Sequence, residues 1–382
     1  MSFKLYVSTY LNIQESVAKK HISRWLAESK ANPGSRAIMM DVRYCNMETS
    51  LRVFCGNHIP EDAVKDINDK YWAITQSLEL VNFPFAFPGT KVWKAIQGRK
   101  AAMKWLERAA NRSKAAMAKG GEPECMLDQW VHMIRDPAYK GRQFSDLEMA
   151  MVLFSFLFAS QDAMSSGVVY GFQHLVDHPE VLVKVRAEQE RVRQGDCDKP
   201  VTYEMMEEMV YLQAVVKESL RVRPPVTLVR IIHFTCTREA PLIDARVSLF
   251  VSLFAQVPYR VTRPFPITEN YTVPKHSMVI PSFYNSLHDP EVYPNADDFV
   301  PERWLDPQGK ANSNPKNYLV YGSGPHRCIG LEYANMNIAL VLATAAVMMD
   351  FEHERTELSD KIEYVFLLFK CFFVELLFFS IV

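Results

Sequence analysis

Through residues 1–220, apolar side chains recur at three- to four-residue spacing and glycine is scarce, which predicts a largely helical stretch. The first helix is amphipathic and is expected to end near Trp25 or Leu26. Breaks fall at Asn32-Pro33-Gly34, from Asn82-Phe83-Pro84 through Pro88-Gly89, and at Gly120-Gly121-Glu122-Pro123. Ser145 is placed to cap a long helix that Pro179 stops. Its first half is apolar nearly all round, the mark of a core helix, before Ser160, Gln161 and Asp162 interrupt it. A further helix, Tyr211 to Val222, runs up to Pro224-Pro225. Beyond it the texture changes to short β-type runs at Tyr259–Val261, Tyr271–Val273 and Met278–Ile280, followed by proline-rich loops. A glycine-rich segment, Tyr321 to Gly330, then opens a last apolar helix from Leu331. The order predicts a mainly α chain with a small β-sheet region.

Composition narrows the class. The 382 residues are 48% hydrophobic, enough for one large domain or two modest ones, and 12% aromatic content excludes disorder. Basic and acidic residues number 43 and 44, so the chain has no general footprint for nucleic acid. Seven scattered cysteines do not form a secreted disulfide framework and point to a reducing compartment. No internal repeat is present, and the first 25 residues lack the apolar run of a signal peptide or anchor. From Tyr364 the tail carries only Lys370 and Glu375 as charges. It is long enough to cross a bilayer, although two central charges cost several kcal/mol there.

Three constellations carry chemistry. Cys328, in Tyr321-Gly322-Ser323-Gly324-Pro325-His326-Arg327-Cys328-Ile329-Gly330, sits just before a helix N-terminus, where backbone N–H groups favour a thiolate. Gly324 and Gly330 let the backbone pass close to something large and flat. Glu218 and Arg221 are three apart on one helix and can pair, and Pro301-Glu302-Arg303-Trp304 supplies another arginine. His174 and His178 are one turn apart but lack a metalloprotease glutamate, so a surface or capping role is expected. The fragment Gly322-Ser323-Gly324 has no dinucleotide fingerprint around it.

In this order and spacing the three elements resemble the cytochrome P450 superfamily of haem-thiolate enzymes. Glu218 and Arg221 match its glutamate–arginine motif, and Arg303 the arginine that joins them. Cys328 matches the axial ligand of haem b, and His326 the residue that contacts a propionate. Tyr321 stands where phenylalanine is usual. Asn46 to Gly56, Phe158 to Ala163 and Pro281 to Pro290 are similar to the fungal sterol C-22 desaturase branch. The resemblance implies a P450 fold incomplete at its N-terminus over residues 1–363, lacking the anchor and first helices. Two segments have no counterpart in it: an insertion at about 230–256 and the hydrophobic tail 364–382.

Several further expectations rest on that resemblance. The chain would be a monooxygenase-type oxidoreductase that uses dioxygen to introduce the C-22(23) double bond of a sterol side chain in ergosterol biosynthesis. Electrons would come from NADPH through NADPH–cytochrome P450 reductase, at the cytosolic face of the endoplasmic reticulum membrane. Ala163 replaces the usual threonine after the acid of the central helix, so Asp162, Gln161 and Ser165 become the proton-delivery candidates. Thr227, Leu228 and Val229 are the expected substrate contacts. A different lipid substrate, or a chain without catalytic activity, are the other readings.

Overall fold

A computed structural model describes residues 3–77, 85–196, 198–225, 259–279, 283–313, 317–355 and 378–381. In chain order it contains α1 (Phe3–Ala31), β1 (Arg36–Ala37), α2 (Met39–Cys55), α3 (Glu61–Gln76), α4 (Lys91–Ala118) and α5 (Met126–Arg135). Then come α6 (Asp146–Asp177), α7 (Pro179–Arg193), α8 (Tyr203–Glu208) and α9 (Val210–Val222). Short strands follow as β2 (Tyr259–Arg260), β3 (Phe265–Thr268), β4 (Tyr271–Val273) and β5 (Met278–Val279), with single helical turns at Tyr284–Leu287, Pro301–Trp304 and Gly324–His326. The last elements are α10 (Leu331–Met348), β6 (Phe351–Glu354) and β7 (Phe378–Ile381). The mainly α class with a small β region is therefore what folds. Helix α1 runs past the expected end at Leu26 to Ala31, because nothing before Asn32-Pro33 removes a backbone N–H.

The long helix α6 is the axis of the molecule. Ser145 starts it with a capping box: its Oγ accepts the N–H of Glu148 at 3.2 Å, and Glu148 Oε2 accepts the N–H of Ser145 at 2.8 Å. Met149, Leu153 and Leu157 are fully buried against α2, α3 and α4 in one core, among Leu51, Phe54, Tyr71 and Leu106. Each such side chain contributes about 1.5–3 kcal/mol by leaving water. The C-terminal half of α6 enters a second core with α1, α7, α9 and α10. There Gly167 and Gly171 permit a close crossing. A Cβ at Gly167 would fall 2.9 Å from Ile338 Cδ1, and one at Gly171 would fall 2.7 Å from Leu342 Cδ1.

Helices α6 and α10 are long and apolar enough to cross a membrane, yet 56% of the most apolar window of each is buried inside the protein. The strands form small antiparallel sheets, ordered β1-β7-β6, β2-β5 and β3-β4. Within the hydrophobic tail, Phe378–Ile381 is the middle strand of the first sheet, pairing Phe379 with Arg36 on one side and His353 on the other. The insertion at about 230–256 and most of the tail lie outside the described residues.

His174 departs from its expected surface position. It is buried and stacks on Phe299, with ring centroids 4.3 Å apart, because the last turns of α6 are covered by the segment before Pro301. His178 is the C-cap of α6 and stays partly exposed.

Candidate functional site

The loop before α10 is closed by its own backbone. The N–H of Cys328 donates to Tyr321 O at 2.9 Å, Gly322 N–H to Leu319 O at 2.9 Å, and Arg327 N–H to Gly324 O at 3.1 Å. The first turn of α10 continues it, with Ala334 N–H on Gly330 O at 2.8 Å. Tyr321 ties the loop to that helix by donating its hydroxyl to Asn335 Oδ1 at 2.6 Å. Burial, and then the neighbouring Cys328, push the Tyr321 hydroxyl pKa up, so the phenol stays a donor.

The Cys328 thiol is exposed, and Ile329 beside it is 87% exposed. Gly324 adopts φ +67° with open space where a Cβ would stand, and a Cβ at Gly330 would lie 3.8 Å from Cys328 Sγ. A single soft sulfur donor presented on a loop whose Gly324 leaves open space suits a large planar iron-bearing group held through sulfur, so these residues fit haem. The described backbone includes His326. Its side chain, together with Thr227, Leu228 and Val229, lies outside the described residues.

Behind the loop stands a buried charge network. Arg221 Nε and Nη2 donate to the two carboxylate oxygens of Glu218, each at 2.9 Å. The remaining Arg221 donors reach Leu287 O at 2.8 Å, Ala296 O at 2.7 Å and Asp298 O at 3.1 Å. Glu218 also accepts Arg303 Nε at 2.8 Å, Trp304 Nε1 at 2.8 Å and the N–H of Val300 at 3.0 Å. Both members of the central pair are fully buried. The three residues singled out in sequence thus meet in one network. It pins α9 to the segment from Leu287 to Trp304, which leads into the Cys328 loop.

Across the molecule, Asp162 is buried and pairs directly with Arg43 of α2. Thr75 of α3 donates to Asp162 Oδ2 at 3.3 Å, and the Arg43 guanidinium lies over the Trp72 ring at 4.6 Å. Gln161 Nε2 donates to Arg43 O at 2.7 Å. Ser165 donates to Gln161 O at 2.6 Å and accepts Asn46 Nδ2 at 3.0 Å, while Asn337 Nδ2 of α10 donates to Asn46 Oδ1 at 2.9 Å. Asp162, Gln161 and Ser165 therefore all face α2. Arg43 and Asn337 carry this arrangement and had no sequence signal of their own; Asn46 lay in a segment quoted only for its resemblance. A buried acid demands a cation, but nothing local says which one.

Met151, Ser155, Phe158 and Ala159, at three- and four-residue spacing on α6, form an exposed stripe leading to Asp162. A cavity of about 630 Å³ between the C-terminal ends of α1 and α10 and helix α7 contains none of these residues.

The family profile described as cytochrome P450 matches residues 1–237 and 250–367. The chain belongs to that family. It is 39% identical over 380 residues to the C-22 sterol desaturase of Aspergillus fumigatus, covering 94% of this chain and 67% of that one. Against the C-22 sterol desaturase of Saccharomyces cerevisiae it is 38% identical over 369 residues, covering 94% and 63%. A cytochrome P450 monooxygenase of Emericella variicolor is 40% identical over 383 residues, covering 95% and 67%. The chain thus spans about two thirds of the length of these curated relatives. Among solved structures, a cyanobacterial P450 with retinoic acid bound superposes with a TM-score of 0.75 at 19% identity, over 100% of this chain and 76% of that one, which shows a shared fold.

Proposed function

We propose that the chain is the haem-thiolate portion of a sterol C-22 desaturase. The observation that carries this reading is the exposed Cys328 thiol on its closed, glycine-containing loop, combined with similarity to desaturases of two fungi. Tyr321, Gly324, His326, Gly330 and Cys328 would hold haem b. When bound, a thiolate-ligated haem supplies dioxygen activation, with sulfur donation favouring O–O cleavage. In the balanced reaction, dioxygen leaves as two waters. It takes two electrons from NADPH through the reductase and two with the hydrogens lost from C-22 and C-23.

The chain's own residues do the rest. Glu218, Arg221 and Arg303 hold the segment that positions the thiol. The Met151–Ser155–Phe158–Ala159 stripe offers an apolar face to a sterol side chain, with Thr227, Leu228 and Val229 as further contacts. Placing C-22 and C-23 together decides between desaturation and hydroxylation. Asp162 holds a proton-relay position once it leaves Arg43 and Thr75, and Gln161 and Ser165 brace the helix around it. The enzyme works at the cytosolic face of the endoplasmic reticulum membrane.

Two measurements on the haem-supplemented chain test the proposal. The reduced carbon monoxide difference spectrum should show the red-shifted Soret band of thiolate ligation, and Cys328→Ala should lose that band while keeping the fold. With reductase, NADPH and a sterol mixture, the product should lack two side-chain hydrogens. A spectrum unchanged in Cys328→Ala refutes the ligand assignment. Hydroxylated product, or turnover only of another lipid, supports the second reading, a monooxygenase on a different substrate. A chain that takes up no haem is non-catalytic.

A further inference from the structure

The end of α2 and the start of α5 bring three different donor types together. A ring nitrogen of His58, Cys125 Sγ and a carboxylate oxygen of Asp128 all lie within 4.8 Å of one another. They come from two short segments, the turn Gly56-Asn57-His58 after α2 and Cys125-Met126-Leu127-Asp128 at the start of α5, the second with the two-residue gap common between paired zinc donors. Cys125 and Asp128 are buried, whereas the His58 side chain is 17% exposed and gives the cluster one edge open to solvent. The approach is built in: a Cβ at Gly56, which has φ +54°, would come within 3.0 Å of Cys125 Cβ and 3.3 Å of its sulfur. The outer contacts are those a ligand carboxylate needs. Ser113 Oγ of α4 donates to Asp128 Oδ1 at 2.5 Å, and the N–H of Glu124 donates to Asp128 Oδ2 at 3.3 Å.

We propose that His58, Cys125 and Asp128 form a zinc site, separate from the Cys328 centre, with water at the fourth position. An imidazole, a thiol and a carboxylate in one cluster suit a borderline-soft divalent ion better than calcium or magnesium, which take oxygen ligands. Tetrahedral bonds of ~2.1 Å set donors about 3.4 Å apart. His58 Nε2 and Asp128 Oδ1, now hydrogen-bonded at 2.7 Å, must therefore open by under an ångström. Binding displaces the Cys125 thiol proton to solvent, and the His58 Nε2 lone pair faces the ion in place of its hydrogen bond to Asp128. The ion then clips the turn after α2 to α5, and through Ser113 to α4. Its role is structural, and it does not depend on what the haem centre does.

The test uses the full chain, reduced and haem-loaded so that Cys328 is occupied, and zinc sulfate alone as the probe. After equilibration and gel filtration, retained zinc is measured by mass spectrometry. The expected result is about one equivalent per chain, removed by a chelator and restored by zinc. His58→Gln and Cys125→Ser should each abolish retention, and Ser113→Ala should weaken affinity roughly 10–100-fold. His58→Gln is the safer variant, since that side chain is partly exposed. Failure of the wild type to retain zinc would leave only a hydrogen-bond network here and overturn the proposal. Retention of a full equivalent by folded His58→Gln would do the same.

Discussion

Arg221 is the position where removing one side chain should do the most damage. All five of its N–H donors are used, two on Glu218 and three on the carbonyls of Leu287, Ala296 and Asp298. Arg221→Ala breaks a buried ion pair, which costs about 3–5 kcal/mol. The orphaned carbonyls push toward the upper end, at about 1–3 kcal/mol for each that water cannot reach. Arg303, Trp304 and Val300 still hold Glu218 and pull the other way. A net loss of about 4 kcal/mol would remove roughly a quarter or more of a typical domain's stability. Arg221→Lys keeps the charge but cannot span five acceptors, so it should cost about 2–3 kcal/mol. Arg303→Ala should cost least, about 1–2 kcal/mol, because the Arg303 side chain is 10% exposed and Glu218 keeps its bidentate partner.

The assay is thermal unfolding followed by near-ultraviolet circular dichroism at fixed haem content, with the carbon monoxide spectrum giving the fraction of holoprotein. The ordering of losses should be Arg221→Ala, then Arg221→Lys, then Arg303→Ala. An apolar replacement of both Glu218 and Arg221 should not rescue the fold. Buried ion pairs can often be replaced by apolar side chains, but here three acceptors are backbone carbonyls that no apolar residue satisfies. Recovery of an Arg221→Ala protein within 1 kcal/mol of wild type, or an Arg303→Ala loss larger than the Arg221→Ala loss, would refute this reasoning.

Two further outcomes are expected. Asp162→Asn should leave the carbon monoxide spectrum intact while lowering turnover about 10²–10⁴-fold, the usual contribution of a general acid; unchanged turnover would remove Asp162 from proton delivery. His174 should make the fold acid-sensitive. Burial, the nearby Arg223 and His178 lower its pKa to about 3. The unfolded chain therefore binds a proton that the folded one refuses, and stability present above pH 6.5 is lost at about 1.4 kcal/mol per pH unit toward pH 3. His174→Phe, which keeps the stack on Phe299, should flatten that slope by one proton, and an identical slope would exclude His174 as its source.

Much of the site could be read in sequence because its determinants are local. Cys328 follows a glycine loop and precedes a helix, and Glu218 and Arg221 are one turn apart, so neighbouring residues identify them. Arg43 was out of reach for the opposite reason: it meets Gln161 across 118 positions, through a crossing of α2 and α6 that no periodicity encodes. The same holds for His58 and Asp128, 70 positions apart, which left the cysteines looking merely scattered. His174 was misplaced because it lies in the last turn of α6, one turn before the capping His178 and the helix-stopping Pro179, where a surface position is the usual one. Its burial depends on Phe299, which arrives from another part of the chain.

The apolar first half of α6 shows where pattern reading stops and why. Period and composition marked the whole stretch as core, and for Met149, Leu153 and Leu157 that is so. Met151 and Phe158, on the same helix, are 42% and 39% exposed. Hydrophobicity reports only that a face avoids water, and it is blind to whether protein or ligand does the covering. A helix apolar all round with only part of its circumference packed therefore carries information once the fold is known. The part that the described residues leave uncovered is too apolar for a solvent face and ends near Asp162. On the proposed function it is the surface against which an apolar side chain would lie, next to the Asp162–Arg43 pair, so the feature that made α6 ambiguous as sequence is the one that marks a candidate reaction face in the fold.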